Sequence, residues 1–168
     1  MTAMELPPPV RVTELPETPL SSAHLNHHAL PGVEQGGGVA MKMLRVNDDT
    51  GHWVSMNRFP PGTELPAHRH SGGVFAFTLQ GRWGYRESAF IATPGSLVRE
   101  PATTSPTLYV PADATEAAEV IFFIDGSLVH CLPDGSIWGV SDAHTQLAEY
   151  LALAAAQGHP ISRADILG

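Results

Sequence analysis

Two histidines separated by a single residue are the part of the sequence best suited to chemistry. His68 and His70 follow a Pro61-Gly62 turn. In a β-strand this spacing places both imidazoles on the same face. Neutral imidazole is a common ligand of iron, nickel, copper and zinc. The pair therefore predicts half of a transition-metal site, and the remaining protein ligand has to come from another part of the chain.

The residues around this pair predict a domain built from short strands. The chain has 168 residues, including 16 glycines and 15 prolines, and such a turn-rich composition favours many short strands over a helical bundle. Apolar stretches with turn sequences between them run from Val39 to about Trp138. This length fits one hydrophobic core. We therefore predict an all-β fold with a single barrel or jelly roll.

The two ends of the chain differ from this central part. Residues 1–36 are rich in proline and lack periodicity, which predicts an extended arm that lies on the surface or across a partner subunit. Residues 37–140 form the predicted β-barrel. Residues 141–168 are predicted to contain a helix, with Asp142 as its N-cap and Gly158 just beyond its end.

Composition and charge exclude several classes of protein. The formal net charge is −8, with nine Lys and Arg residues, which argues against a nucleic-acid-binding surface. The single cysteine, Cys131, rules out an intramolecular disulfide framework. No apolar run reaches the roughly 18 residues of a membrane span, and no secretory leader is visible. We expect a cytoplasmic protein with no nucleic-acid or membrane partner, which forms a homodimer or a higher homo-oligomer.

The histidine motif resembles a known family signature. The run from Gly62 through His68 and His70 to a strand that ends in glycine is similar to the first signature of the cupin superfamily. That signature usually has a glutamate four or five residues after the second histidine, where this chain has Val74 and Phe75. The resemblance implies a single-domain cupin, a double-stranded β-helix with jelly-roll topology.

The second cupin signature is matched only in part. Gly95 and Pro101 have the expected spacing, but Thr103 occupies a glycine position. The position that carries the third metal-binding histidine in cupins is Pro106 in this chain. Proline offers no side-chain donor atom. The usual third protein ligand is therefore absent.

A narrower resemblance is carried by three segments, residues 61–73, 81–87 and 94–101. They are similar to the 2,4′-dihydroxyacetophenone dioxygenases and the acetylacetone-cleaving cupins. This family implies non-haem Fe(II) held by three histidines, O2 as co-substrate and oxidative cleavage of a carbon–carbon bond. Carried over residue by residue, only His68 and His70 remain as ligands. The resemblance thus implies Fe(II), or another divalent transition metal, that is weakly held.

Other side chains are candidates for the third ligand. Glu87 shares one face of a predicted strand with Trp83 and Tyr85, and with two histidines it gives the donor set of oxygen-activating Fe(II) sites. His130, in a late strand, and His144, near the start of the helix, are the alternatives. Glu87 and Tyr85 are also the candidate catalytic residues.

Four aromatic residues are predicted to line a pocket for a small molecule: Phe75, Phe77, Trp83 and Tyr85. The alternative is that these side chains only fill the core. Two functions remain open. One is a metal-dependent oxygenase that uses O2 to cleave a carbon–carbon bond of a small aromatic hydroxyketone or β-dicarbonyl compound. The other is a metal-poor cupin that acts as a small-molecule-binding module.

Overall fold

The computed structural model describes residues 24–132 and 134–168. Most of the predicted arm, residues 1–23, lies outside the described residues. The last part of that arm is not a free extension, because residues 33–36 pair with the next strand in antiparallel register.

The described residues contain eleven strands. In chain order they are β1 (Val33–Gly36), β2 (Val39–Val46), β3 (Trp53–Phe59), β4 (His68–His70), β5 (Val74–Gln80), β6 (Gly84–Tyr85), β7 (Leu97–Glu100), β8 (Leu108–Tyr109), β9 (Ala118–Ile124), β10 (Leu128–Cys131) and β11 (Ile137–Ser141). A short 3-10 helix, His27–Ala29, precedes them.

The strands form three antiparallel sheets around one cavity. The largest sheet has the order β1-β2-β3-β9-β5-β7, the second has the order β11-β10-β4, and β6 pairs with β8. Inner faces of all three sheets contribute to the lining of the cavity. The all-β prediction with jelly-roll character is confirmed, although the sheets stay open and do not close into one barrel.

Alternation along the strands separates the core from the surface. On β5, Val74, Ala76 and Thr78 point inward and are buried, as expected for side chains of period 2. A tight turn follows β5 at Gly81, which has φ +72°; a Cβ there would lie 2.5 Å from the Ala117 carbonyl oxygen. Only glycine fits this close approach, which brings the end of β5 next to the start of β9.

One α-helix, α1 (Ala143–Ala156), follows the last strand, as predicted. The Asp142 carboxylate caps it by accepting a hydrogen bond from the Thr145 N–H. Its buried side chains are Ala143, Leu147, Tyr150 and Ala154. The Tyr150 hydroxyl donates to the Pro31 carbonyl oxygen at 2.8 Å, which ties the helix to the segment before β1. No helix among residues 24–132 and 134–168 is long and apolar enough to cross a bilayer.

Candidate functional site

A cavity of about 450 Å³ lies between the sheets. Much of its wall is apolar and comes from Trp53, Phe59, Leu108, Phe122 and Ile124. Four of its lining residues, His68, His70, Tyr85 and Glu100, carry polar groups that lie next to one another. We refer to these four residues as the polar cluster. An apolar cavity with a few converging polar groups is typical of a small-molecule site.

The two histidines enter the cavity from β4. Their ring centroids lie 4.7 Å apart with the planes at 79°. Pairing with β10 fixes their position, since His68 lies opposite His130 and His70 lies opposite Leu128. Both side chains line the same cavity. The i, i+2 spacing therefore brings two imidazoles together at one wall.

His68 is held in the tautomer that a metal ligand needs. Its Nδ1 lies 3.1 Å from the Pro66 carbonyl oxygen. A carbonyl accepts only, so Nδ1 carries the proton and Nε2 keeps its lone pair. Burial, and then the neighbouring His70, lower the pKa of His68 below its usual value. The side chain is thus kept neutral, the form that coordinates metal ions.

His70 lies against a buried carboxylate. The His70 Nε2 and Glu100 Oε2 atoms are 2.8 Å apart, and both side chains are 4% exposed. The two groups are not aligned for a hydrogen bond, and neither atom has another partner. The His70 Nδ1 is also without a partner. Buried polar atoms are rarely left in this state.

Tyr85 holds the other oxygen of the same carboxylate. Its hydroxyl donates a hydrogen bond to Glu100 Oε1. Burial, together with the charge of Glu100 and this hydrogen bond, raises the pKa of the Tyr85 hydroxyl well above its usual range. Tyr85 is therefore a permanent donor at neutral pH, and it fixes the carboxylate so that Oε2 points towards His70.

Glu100 was not recognised as a site residue from the sequence. It ends β7 and pairs with Val74, an inward residue of β5. Its spacing indicates this position: Glu100 follows Val98 by two residues, so both side chains lie on the same face of β7. A glutamate at an inward strand position needs a polar partner, and this argument could have identified Glu100 as a site residue.

The polar cluster has the donor types that a divalent metal binds. For His70 and Glu100 the spacing of the donor atoms also fits a shared metal ion. Among residues 24–132 and 134–168, no three His, Cys, Asp or Glu side chains converge as a ready metal-binding group. His70 Nε2 and Glu100 Oε2 do converge. Two atoms that share an ion at about 2.1 Å, at roughly right angles, lie about 3 Å apart. The unpartnered atoms of His70 and Glu100 match this distance, and His68 stands beside them.

Glu87 occupies a different part of the structure from the polar cluster. It is exposed, and its carboxylate accepts a hydrogen bond from the Thr107 N–H at 2.9 Å. Slight burial opposes ionisation, but the bonds to Thr107 outweigh it and lower the pKa of Glu87. Glu87 and Pro106 line a second cavity of about 320 Å³, which shares Tyr85 and Glu100 with the main cavity. The strand β6 ends at Tyr85, so the alternation that placed Glu87 inward does not continue.

The two alternative histidines also differ in position. His130 lines the main cavity, and its ring lies 6.4 Å from that of His68. Its Nε2 is 2.8 Å from the Ser141 hydroxyl oxygen, and its ring stacks on Trp138 at 4.9 Å. Burial lowers the pKa of His130. His144 is exposed on α1 and does not line the cavity.

Of the four aromatic residues expected in the pocket, only Tyr85 lines the main cavity. Trp83 is fully buried in the core, and its indole N–H donates to the Thr78 hydroxyl at 2.9 Å. Phe75 and Phe77 lie on the outer face of β5, where they are 45% and 36% exposed. Smaller side chains take the inward positions of β5.

The fold and a match to a family model define the class of this protein as a cupin. Residues 21–129 match the family of ChrR cupin-like domains, and the chain belongs to this family. The cupin resemblance of the sequence is thereby confirmed. No curated protein matches the chain.

Solved structures support the same fold. A protein of unknown function with a cupin-like fold from Ralstonia eutropha JMP134 is 28% identical, with a TM-score of 0.73, covering 80% of this chain and 86% of its own. An RmlC-like cupin from the same organism is 26% identical, with a TM-score of 0.77, covering 84% and 93%. An acetylacetone dioxygenase from Acinetobacter johnsonii shares the fold at 15% identity and a TM-score of 0.68, covering 84% and 97%.

Proposed function

We propose that the protein is a metal-dependent cupin oxygenase in which His68, His70 and Glu100 hold a divalent transition metal, with Fe(II) as the first choice. One observation carries the proposal. The buried His70 Nε2 and Glu100 Oε2 atoms lie 2.8 Å apart without hydrogen-bond alignment and without other partners. Two imidazoles and one carboxylate are the donor set of many oxygen-activating Fe(II) sites.

The surrounding residues have separate tasks in this proposal. Pro66 fixes the His68 tautomer, and Tyr85 orients Glu100. Such outer contacts position the ligands and tune their basicity. A bound Fe(II) ion would supply binding positions for O2 and for substrate oxygens next to each other. The apolar walls favour an organic substrate.

The proposed reaction is oxidative cleavage of a carbon–carbon bond in a small aromatic hydroxyketone or β-dicarbonyl compound. O2 is the oxidant, and its two oxygen atoms are distributed between the two fragments. Support comes from the similarity of residues 61–101 to cupins of this activity and from the shared fold of an acetylacetone dioxygenase. The homodimer expected from the sequence stays a prediction, which light scattering can test.

Anaerobic reconstitution with Fe(II) tests this function. After removal of excess iron, we expect retained metal and O2 consumption that depends on a β-dicarbonyl compound. His68→Ala and His70→Ala should lose both, while His144→Ala, an exposed control outside the cavity, should keep both. Wild-type protein that retains no metal under these conditions would contradict the proposal.

The alternative function is a metal-poor cupin that binds a small molecule. Pro106 favours it, because the usual third ligand is missing. In that case the cavity of about 450 Å³ binds its ligand with equal affinity before and after treatment with a chelator. An oxygenase instead loses substrate affinity with its metal, since metal and substrate binding are reciprocally coupled.

A further inference from the structure

Two polar residues interrupt the apolar inner face of the largest sheet. Ser55 and Asn57 both point inward from β3 and line the cavity. The register places Ser55 between Met43 on β2 and Phe122 on β9. Asn57 is likewise flanked by apolar partners on both neighbouring strands. Polar groups in such surroundings normally have a partner that compensates their lost hydration.

The two residues hold each other in a defined orientation. Ser55 is buried, with 2% of its surface exposed. Its hydroxyl donates a hydrogen bond to Asn57 Oδ1 at 2.8 Å. The carbonyl end of Asn57 is thus occupied, and its Nδ2 donors form no hydrogen bond within residues 24–132 and 134–168. By contrast, the inward Thr78 hydroxyl accepts a hydrogen bond from Trp83. Asn57 therefore has free N–H donors at the wall of the cavity.

Asn57 lies in a different row of the sheet from Glu100, one of the residues of the polar cluster. Cross-strand register places Glu100 in one row with Val74, Ile124 and Trp53. Asn57 is four residues further along β3, which corresponds to about 13 Å along the strand. A ligand that reaches both the amide and the polar cluster has to be elongated. A cavity of about 450 Å³ falls within the roughly 300–1,000 Å³ of sites that hold drug-sized ligands.

The charge of the lining restricts the ligand further. Among the described residues that line the cavity there is no lysine or arginine. The carboxylates are those of Glu100 and Glu149. A carboxylate or phosphate at the Asn57 end would be desolvated without a cation to pair with. A neutral carbonyl oxygen needs only the amide donors.

We propose that Asn57, oriented by Ser55, determines substrate specificity by donating a hydrogen bond to a neutral carbonyl oxygen at the far end of an elongated substrate. The reacting end of this substrate lies at the polar cluster, and this part of the inference rests on the proposed function. Within the proposed substrate class, the inference therefore favours uncharged, elongated compounds with a further carbonyl group at the end away from the reacting carbons over short aliphatic diketones.

Two probes of equal shape test the inference, the para-acetyl and para-isopropyl derivatives of benzoylacetone. They are titrated anaerobically into metal-loaded protein and binding is measured by calorimetry. The wild-type protein should prefer the acetyl derivative by about tenfold, the effect of one hydrogen bond. Asn57→Leu should remove this preference. Asn57→Asp keeps the size of the side chain and in its ionised form accepts hydrogen bonds only, so at a pH where the introduced carboxyl is ionised it should remove the preference as well. Gln80→Ala, at an exposed amide, should retain the preference.

The outcomes separate this inference from the proposed function. Equal affinities of the wild-type protein for the two probes, or a preference that survives in both Asn57 variants, would overturn the role of Asn57. If the wild-type protein holds no metal, the proposed function fails instead. The same probe pair is then titrated into metal-free protein, where the acetyl preference should persist because the Asn57–Ser55 pair does not touch the polar cluster.

Discussion

His70 and Glu100 bring their polar atoms within 2.8 Å of each other, although β4 and β7 belong to different sheets. The backbone closes the gap between these sheets, since the Thr103 N–H donates to the His70 carbonyl oxygen at 2.8 Å. Thr103 adopts φ 70°, the single positive value among the described non-glycine residues. The loop after β7 thereby holds the carboxylate against the imidazole.

The first prediction concerns Glu100. Replacing it by glutamine keeps the shape of the side chain but removes the negative charge and weakens it as a ligand. We expect Glu100→Gln to lower Fe(II) affinity by at least about 10–100-fold, the range seen when even supporting residues of metal sites are lost. Competition with a chromophoric chelator measures the affinity.

Glu87→Gln is the matched control for this experiment, because its exposed carboxylate binds the Thr107 N–H outside the main cavity. Its metal affinity should stay within twofold or so of the wild-type value, because an exposed side chain that is hydrogen-bonded to Thr107 is replaced by one of the same shape. A larger loss in Glu87→Gln than in Glu100→Gln would return the ligand role to Glu87.

The second prediction concerns the Tyr85 hydroxyl. Tyr85→Phe removes the donor to Glu100 Oε1 and leaves a buried carboxylate oxygen unpaired. We expect a loss of about 1–3 kcal/mol in the free energy of unfolding, measured by urea denaturation of the metal-free protein. Added Fe(II) should recover part of this loss, since a ligand that binds the folded state stabilises it. An unchanged free energy of unfolding would show that this hydrogen bond does not hold the carboxylate.

The histidine pair was predictable because its spacing acts locally. One strand suffices to place His68 and His70 on the same side. Glu100 depends instead on the meeting of two sheets: the alternation of β7 indicates its inward position, but the sequence does not indicate which side chain of the other sheet it meets. Glu87 is exposed because β6 ends at Tyr85. The sequence does not show this end, since the alternation of residues 82–87 continues past it.

The outward positions of Phe75 and Phe77 have a similar explanation. Five of the first six residues of β5, from Val74 onward, are apolar, so alternation alone does not tell the inner face from the outer face. The decision depends on which residues of β9 lie beside them. Phe75 pairs with Phe123 and Phe77 with Ile121, all on the side away from the cavity. The turn residues and the C-terminal helix were predictable because Gly, Asp and Pro act within a few residues.

The third prediction concerns the helix cap. Asp142→Ala should lower the free energy of unfolding by about 1 kcal/mol, because the first turn of α1 loses the acceptor for Thr145. Asp142→Asn keeps a capping oxygen, so at neutral pH it should lose less than Asp142→Ala and fall below wild type only by the part of the stabilisation that depends on the charge. Hydrogen bonds to Thr145 lower the pKa of Asp142 from its usual 3.8. The charge-dependent part of the stabilisation is therefore present above pH 3.8 and lost as the pH falls below it.

Denaturation at several pH values separates the two variants. The difference between wild type and Asp142→Asn should shrink as the pH falls through the depressed pKa of Asp142. If Asp142→Ala is as stable as wild type at neutral pH, the cap contributes nothing to α1.

The last prediction concerns Tyr150, whose hydroxyl donates to the Pro31 carbonyl oxygen at 2.8 Å. Burial raises its pKa from 10.0 to about 12. Between pH 10.0 and about 12, the folded protein thus keeps the phenolic proton that the unfolded chain releases. The stabilisation by the neutral hydroxyl is fully present below pH 10.0 and is lost as the pH rises towards about 12.

At neutral pH, Tyr150→Phe should lower the free energy of unfolding by about 1 kcal/mol. Between pH 7 and 9 this difference should stay constant, and above pH 10.0 it should decline. Urea denaturation across this pH range measures it, and a difference that is independent of pH up to 12 would mean that the Tyr150 hydroxyl ionises equally in the folded and unfolded states.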